Sequence, residues 1–436
     1  MRERPTVLAI FGISGDLSRR YLLPALAEIK KAGQLPENFK VLGISRRELK
    51  KSEVFSSQTD NLAAITEFMQ MDMDSSADFK QLKTGLGSAN VIFYLVVPPT
   101  AVPNIIAHLG SAKLNGPNVK LLLEKPFGSD LPSAKKLVKE IGRCFKEDQV
   151  FRIDHYLAKG VAQNISTFLG GNALFRSVWN KDFIEYIEIV AAEQIGLEGR
   201  KGFYEQTGAL RDFVQSHLLQ LAALTLMEPC TDLFDFAVLP SRRLAALQAL
   251  ACPEPATLAK TTFRGQYRGY REELKNKSSK TETFVALQLE SNDPRWQGVP
   301  IYLGTGKKLD QKLTQIRINF KKSSVSETNM LILRVQPREG IELDLWVKKP
   351  GYDKELDKKT LSFSFEQNFD RLPDAYEQVL VDALRSDHSL FASSHEVLES
   401  WRIIQPVLDY WQKADPELHI YKGGSTVEQV LAGVAE

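Results

Sequence analysis

Between Phe151 and Lys159 the chain reads Phe-Arg-Ile-Asp-His-Tyr-Leu-Ala-Lys, which sets a carboxylate, an imidazole, a phenol and an ammonium at Asp154, His155, Tyr156 and Lys159. Four polar chemistries this close together make a poor core segment, because each group needs a partner once buried. A plain surface loop has no use for Phe151, Ile153 and Leu157. The pattern fits a strand end running into a polar helix start, or a site where a strand delivers polar groups into a cleft. A second histidine, His217, lies in the helix-like run Gly208–Gln220. On an α-helix Phe213, His217 and Gln220 share a face, and Asp212 stands roughly 140° away from His217. A lone helical histidine is more often a satisfied core residue than a catalyst. A catalytic His217 needs Asp154 to meet it in space, which spacing alone does not show.

Strand-like runs precede the polar stretch. Thr6–Phe11 is continuously apolar, as a buried parallel strand is, and Gly12-Ile-Ser-Gly15-Asp-Leu follows at once. A helix-like segment with Leu22, Leu23, Leu26 and Ile29 comes next. Strand, glycine turn and helix together offer backbone N–H groups and a helix dipole to a pyrophosphate. Glycines at 12 and 15 let a phosphate approach where a Cβ would obstruct it. The turn departs from the G-x-G-x-x-G pattern, so a tight structural turn fits as well. The next run, Lys40–Ser45, ends in Arg46-Arg47, where an acid selects NAD and an arginine selects the 2′-phosphate of NADP. Two planar guanidiniums point to NADP, or else to a solvated turn. Further strands are expected at Thr66–Met71, Val91–Val97 and Val119–Leu123, the last running into Glu124-Lys-Pro-Phe-Gly128. Ligands of open α/β sheets sit at the carboxyl ends of strands, which makes Lys125 a candidate for the cleft. Helix-spaced segments at 16–32, 101–113 and 131–143 complete βαβ units.

Past Lys159 the pattern changes. The alternating strand Phe183–Val190 and the 208–220 run are followed by strand-like segments Thr283–Leu289, Val299–Leu303, Thr314–Phe320, Met330–Val335, Ile341–Val347 and Leu361–Phe365. These read as a meander-like antiparallel sheet, with two helices near 373–386 and 395–413 after it. Gly304-Thr-Gly306-Lys307-Lys308-Leu309 with Lys312 is a plausible anion site or a solvated hairpin tip. The expectation is therefore an α/β Rossmann coenzyme domain over 1–154 and an α+β domain with a large, mainly antiparallel sheet over 155–436.

At 436 residues two domains are the default. A formal net charge of +2, with lysine and arginine dispersed, supplies no field for nucleic acid or an anionic membrane, so anion binding must be local. Three cysteines without metal-ligand spacing suit free, buried thiols in a reducing compartment, and no metal site is expected. The N-terminus lacks a signal peptide's pattern and no apolar run is long enough to span a bilayer, which points to a cytoplasmic protein.

With these residues in place the chain resembles the glucose-6-phosphate dehydrogenase family from residue 6 to about 425. The most specific likeness is Arg152–Lys159, similar to the family's Arg-Ile-Asp-His-Tyr-Leu-Gly-Lys signature. The Gly12–Leu17 turn, Glu124–Gly128, Glu198–Tyr204, Gln215–Gln220, Thr305–Lys307, Gln336-Pro337 and Asp374–Glu377 support it in the right order. The resemblance implies NADP-dependent oxidation of β-D-glucose 6-phosphate at C1 to the 6-phospholactone, the first step of the oxidative pentose phosphate pathway. It implies His217 as general base and Asp154 as its orienting carboxylate. Substrate positions would be Lys125, His155, Tyr156, Lys159, Glu193, Asp212, Lys307 and Lys312. Coenzyme positions would be Gly12, Ser14, Gly15, Asp16, Leu17, Arg46 and again Lys125. A homodimer or dimer of dimers built on the large sheet is implied as well.

The chain departs from that family at several places. Tyr21 stands where many members carry a lysine, Ala158 replaces a glycine, and Gly160 replaces a glutamate. The Tyr421–Ser425 segment lacks the residues that often follow it, and no extra structural NADP site is found. Two other readings stay open at this point: a dehydrogenase of another sugar phosphate, and a catalytically silent regulatory homologue.

Overall fold

The computed structural model describes residues 4–433 apart from 231, 233–234 and 323–327. By internal contacts the chain forms two units, Met1–Ala158 with Pro373–Val397, and Lys159–Leu372 with Leu398–Glu436. The expected second domain of 155–436 is thus too long. The segment 373–397 leaves it and completes the first unit.

In the first unit six strands, β1 (Thr6–Phe11), β2 (Phe39–Ser45), β3 (Thr66–Gln70), β4 (Asn90–Leu95), β5 (Val119–Leu123) and β6 (Val150–Ile153), form a parallel sheet in the order β6-β5-β4-β1-β2-β3. This is the doubly wound order, which reverses between β1 and β4 and opens a crevice there. β1 is continuously apolar because it is central, and Leu8, Ala9, Ile10 and Phe11 are all fully buried. Ser75 and Asp130 cap the helices Ser76–Leu86 and Leu131–Gly142 by accepting N–H bonds from Asp78 and Ser133.

Chemistry at three points explains why 373–397 docks on this sheet. Phe391–Ala392 adds a short antiparallel strand to β6, with Phe391 opposite Ile153. Lys120 Nζ donates to the carbonyls of Ala383 (2.6 Å) and Leu384 (3.0 Å), at the carbonyl-rich end of the helix Ala375–Arg385. Buried Arg152 forms a two-pronged pair with Glu147, which also accepts the Ser394 N–H at 2.7 Å. Part of the signature stretch is therefore structural.

In the second unit β7 (Ile184–Ala192), β8 (Thr262–Tyr267), β9 (Phe284–Leu289), β10 (Ile301–Gly306), β11 (Leu313–Phe320), β12 (Met330–Gln336), β13 (Gly340–Lys348) and β14 (Leu356–Ser364) run in the order β14-β13-β12-β11-β7-β10-β9-β8, and the short strand His419–Tyr421 flanks β8. The pairing is antiparallel except in two places, where β7 meets β10 and where the His419–Tyr421 strand meets β8. The expected simple meander is broken because β7 inserts between β10 and β11. β7 is buried at every position from Ile189 to Ala192, and a strand buried on both faces belongs in the middle of a sheet.

Cys230 is buried while Cys144 and Cys252 are only partly so, and all three are free thiols. No helix among the described residues is long and apolar enough to cross a membrane.

Candidate active site

The first unit carries a cleft of about 690 Å³ lined by Gly12, Ser14, Gly15, Ser45, Arg46, Arg47, Asp72 to Asp74, and the 96–104 segment after β4. It sits at the reversal of strand order, on the carboxyl ends of β1, β2 and β4. Gly12 has φ +85°, and a Cβ there would lie 2.2 Å from the Val96 carbonyl oxygen. Only glycine fits. Gly15 N–H bonds to the Gly12 carbonyl and Ser18 Oγ donates to the same oxygen, closing the turn at the mouth of the helix. This cradle fits a dinucleotide, with Arg46 and Arg47 at the end of β2. Arg47 is engaged by Glu53 at 2.6 Å, and the carboxyl of Glu53 is held below its ordinary range by that guanidinium first and by the Lys50 N–H second. Asp16 and Leu17 belong to the turn, but exposed Asp16 pairs with Arg20 at 2.8 Å.

After the turn, Ser18–Leu22 forms a π turn, with the Leu23 N–H bonding back to the Ser18 carbonyl. Such turns are rare and gather at functional sites. Tyr21 lies in it, half exposed, and its ring stacks on Tyr376 at 5.6 Å.

At the ends of β5 and β6, Lys125 and Asp154 follow the sheet. Asp154 is buried; its Oδ1 accepts the Tyr156 N–H at 3.0 Å and its carbonyl accepts the Leu157 N–H. Those bonds shape the loop that presents His155 and buries Tyr156. Spacing singled out Lys125 in the 124–128 motif and passed over Glu124. The Tyr94 hydroxyl donates to Glu124 Oε1 at 2.5 Å. Burial pushes the Glu124 carboxyl from 4.5 up to about 7, opposed by the Tyr94 bond and Lys125 and reinforced by the charge of Asp154. A raised carboxyl holds its proton more tightly folded than unfolded. Between about pH 4.5 and about pH 7 the folded chain therefore binds more protons, and stability falls as pH rises through that window. Thermal unfolding across it should show a smaller drop in Tm for Glu124→Gln than for the wild type. Parallel curves for the two proteins sink this reading of Glu124.

In the second unit the 208–220 run is not one α-helix. The helix Lys201–Ala209 breaks at Gly208 (φ 66°, ψ 175°), where a Cβ would strike the Glu282 carboxylate. Glu282 Oε1 accepts the Leu210 N–H at 3.0 Å and starts a new segment. That segment, Leu210–Leu218, is a π-helix, followed by the α-helix Leu219–Leu226. This corrects the roughly 140° separation expected of Asp212 and His217, because i→i+5 bonding stacks residues five apart on one side. Asp212 and His217 are both buried, and the His217 ring meets Phe213 edge to face at 5.1 Å. Gln220 is buried on the following turn.

Lys307 is neither a hairpin tip nor solvated. It follows β10, is buried, and pairs with Glu193 at 2.7 Å, its ammonium 5.0 Å over the Tyr204 ring. The Tyr421 hydroxyl donates to the Lys307 carbonyl at 2.7 Å, so the C-terminal strand fixes this turn. Lys312 is exposed. Lys159 opens the helix Gly160–Gly171, whose Val161 N–H donates to Glu339 Oε2 at 2.8 Å. A Cβ at Gly160 would lie 2.8 Å from the same oxygen. A remote carboxylate thus caps the helix, and glycine at 160 makes room for it. Burial raises the Glu339 carboxyl, opposed first by the Val161 N–H and then by Lys159.

Within the first unit the structure therefore groups Gly12, Ser14, Gly15 and Arg46 in one cleft. Within the second it joins Glu193 to Lys307 and buries Asp212 and His217 in one π-helix. Sequence reasoning missed Glu124, Glu339 and Tyr376. Glu124 was legible as the neighbour of Lys125, whereas Glu339 and Tyr376 act from distant segments.

Two family models match the chain, one described as glucose-6-phosphate dehydrogenase, NAD binding domain, over residues 9–164, and one as glucose-6-phosphate dehydrogenase, C-terminal domain, over residues 167–432. The glucose-6-phosphate 1-dehydrogenase of Borreliella burgdorferi is 37% identical, with 100% of this chain and 98% of that protein covered. That of Chlamydia pneumoniae is 36% identical over 97% of this chain and 93% of the relative. Among solved structures, a glucose-6-phosphate dehydrogenase in complex with its substrate glucose-6-phosphate superposes with a TM-score of 0.90 at 29% identity, covering 100% of this chain and 98% of that one. Glucose-6-phosphate 1-dehydrogenase from Mycobacterium avium gives 0.87 at 31% identity, with 99% and 97% covered.

Proposed function

The chain belongs to the glucose-6-phosphate dehydrogenase family, and from that premise we propose that it oxidises β-D-glucose 6-phosphate at C1 to 6-phospho-D-glucono-1,5-lactone with NADP as coenzyme. The observation that carries the reading is the retention of Asp154, His155, Tyr156, Lys159 and a buried His217 in a chain that also holds a dinucleotide cleft ending in Arg46.

When bound, the oxidised nicotinamide supplies the acceptor for the C1 hydride. His217 takes the proton of the C1 hydroxyl as the C1–H bond breaks and the carbonyl forms, and Asp154 stabilises the resulting imidazolium. His155, Tyr156 and Lys159 hold the phosphate, with Lys312 beside them in role. Unphosphorylated glucose would leave those donors unpaired, which supplies specificity. Lys125, Glu193, Asp212 and Lys307 bind the sugar hydroxyls, and the Glu193–Lys307 pair keeps both groups oriented before substrate arrives. Gly12, Ser14, Gly15, Asp16 and Leu17 form the pyrophosphate turn, near which Lys125 serves the coenzyme as well. NADP is favoured because Arg47 is taken by Glu53 while Arg46 remains for the 2′-phosphate. A homodimer, or a pair of dimers, is supported by apolar side chains exposed along β13 and β14, namely Val347, Leu356, Leu361 and Phe363. A cytoplasmic place of action suits the three free thiols.

The test is the initial rate of nicotinamide reduction with glucose 6-phosphate and with glucose, using NADP and NAD in turn. A rate that needs the phosphate and is faster with NADP is expected. Equal rates for glucose and its phosphate would remove the proposed phosphate cluster, and no rate at all would remove the reaction.

A further inference from the structure

Three rings from three distant segments of the first unit come together beside the signature loop, two of them each in ring contact with the third. Tyr21 comes from the π turn after the glycine loop, Tyr376 from the first turn of the helix Ala375–Arg385, and His155 from the signature loop. Tyr376 is the middle member: its plane lies 21° from that of Tyr21 at 5.6 Å and 12° from that of His155 at 6.4 Å. The Tyr376 N–H donates to Asp374 Oδ1 at 2.8 Å in the helix cap, so the backbone beneath the ring is fixed. His155 in turn meets Tyr156 at 4.9 Å. Tyr21 is half exposed, yet it sits on a widened helical turn with its ring near-parallel to that of Tyr376.

An imidazole donates hydrogen bonds only in its ring plane, so whatever fixes that plane fixes where the donor points. We propose that Tyr21 is a positioning residue for sugar-phosphate capture, acting through Tyr376 to set the ring plane of His155. The role rests on the sugar-phosphate reading above. Without Tyr21, Tyr376 loses one of its ring partners, its plane is less restrained, and part of the ordering of His155 must be supplied each time a phosphate binds. The transition state gains nothing extra from the stack, so the effect falls on substrate affinity and not on turnover.

The experiment compares wild type, Tyr21→Ala and Tyr21→Phe in KM and kcat for glucose 6-phosphate, in kcat/KM for unphosphorylated glucose, and in the Kd for NADP measured without sugar. The expected result for Tyr21→Ala is a KM for glucose 6-phosphate raised roughly three- to ten-fold, the range set by one aromatic pair. Its kcat, its NADP affinity and its activity on glucose should stay at wild-type values, and Tyr21→Phe should restore the KM. A proportional loss on glucose, or a fall in NADP affinity, overturns the role by placing Tyr21 at the sugar or the coenzyme. An unchanged KM in Tyr21→Ala overturns it outright. A wild-type rate that ignores the phosphate overturns the sugar-phosphate reading itself, and this role with it.

Discussion

His217→Asn is expected to lower kcat for glucose 6-phosphate oxidation by roughly 10²- to 10⁴-fold, the usual contribution of a positioned general base. Asparagine keeps much of the volume and a hydrogen-bonding amide, and it cannot take a proton at neutral pH. His217 is buried in the π-helix against Phe213, in a segment started by the Glu282 cap. The variant should therefore fold, with KM for the sugar phosphate changed little, because no binding charge has been lost. The check is steady-state kinetics together with thermal unfolding of both proteins. A kcat within a few-fold of wild type in a folded variant would exclude His217 as the base.

Arg46→Ala carries the second largest effect. A charge-assisted bond to a phosphate oxygen contributes about 1.5–3 kcal/mol, so the KM for NADP should rise roughly 10- to 100-fold while that for NAD barely moves. Arg47 can substitute only in part, since its guanidinium is held by Glu53 at 2.6 Å. That pair is exposed and weak, so partial rescue by Arg47 sets the lower end of the range. Equal losses with both coenzymes would place Arg46 away from the 2′-phosphate.

The coenzyme half was legible because buried parallel strands announce themselves as apolar runs, and the polar residues that end them mark the cleft. Arg46 and Lys125 follow strand ends that the sequence predicts within a residue or two, and Asp154 follows a strand whose end the polar stretch marks. The relation of Asp212 to His217 was not legible. Apolar spacing reports a period of 3.6, and a π-helix arises from a local choice of hydrogen-bond partner, here set by Gly208 and Glu282, which lie 74 positions apart in the chain. The place of β7 in the second sheet and the cap that Glu339 gives to Gly160–Gly171 escaped for the same reason. Each depends on a partner far away in sequence, and local periodicity carries no record of such pairings.

The first unit's split between residues up to 158 and residues 373–397 has a consequence for how the protein is made. During synthesis the six parallel strands emerge long before the segment that covers β6. Until Phe391 arrives, the β6 edge at Ile153 is open, Phe151 lacks its stacking partner His388, and the Lys120 ammonium has no helix end to bind. An uncovered strand edge is a template for pairing with another chain. The nascent coenzyme half must therefore wait, unfinished, while more than two hundred further residues are added, and a gene fragment ending at Ala158 encodes an incomplete sheet and not a domain.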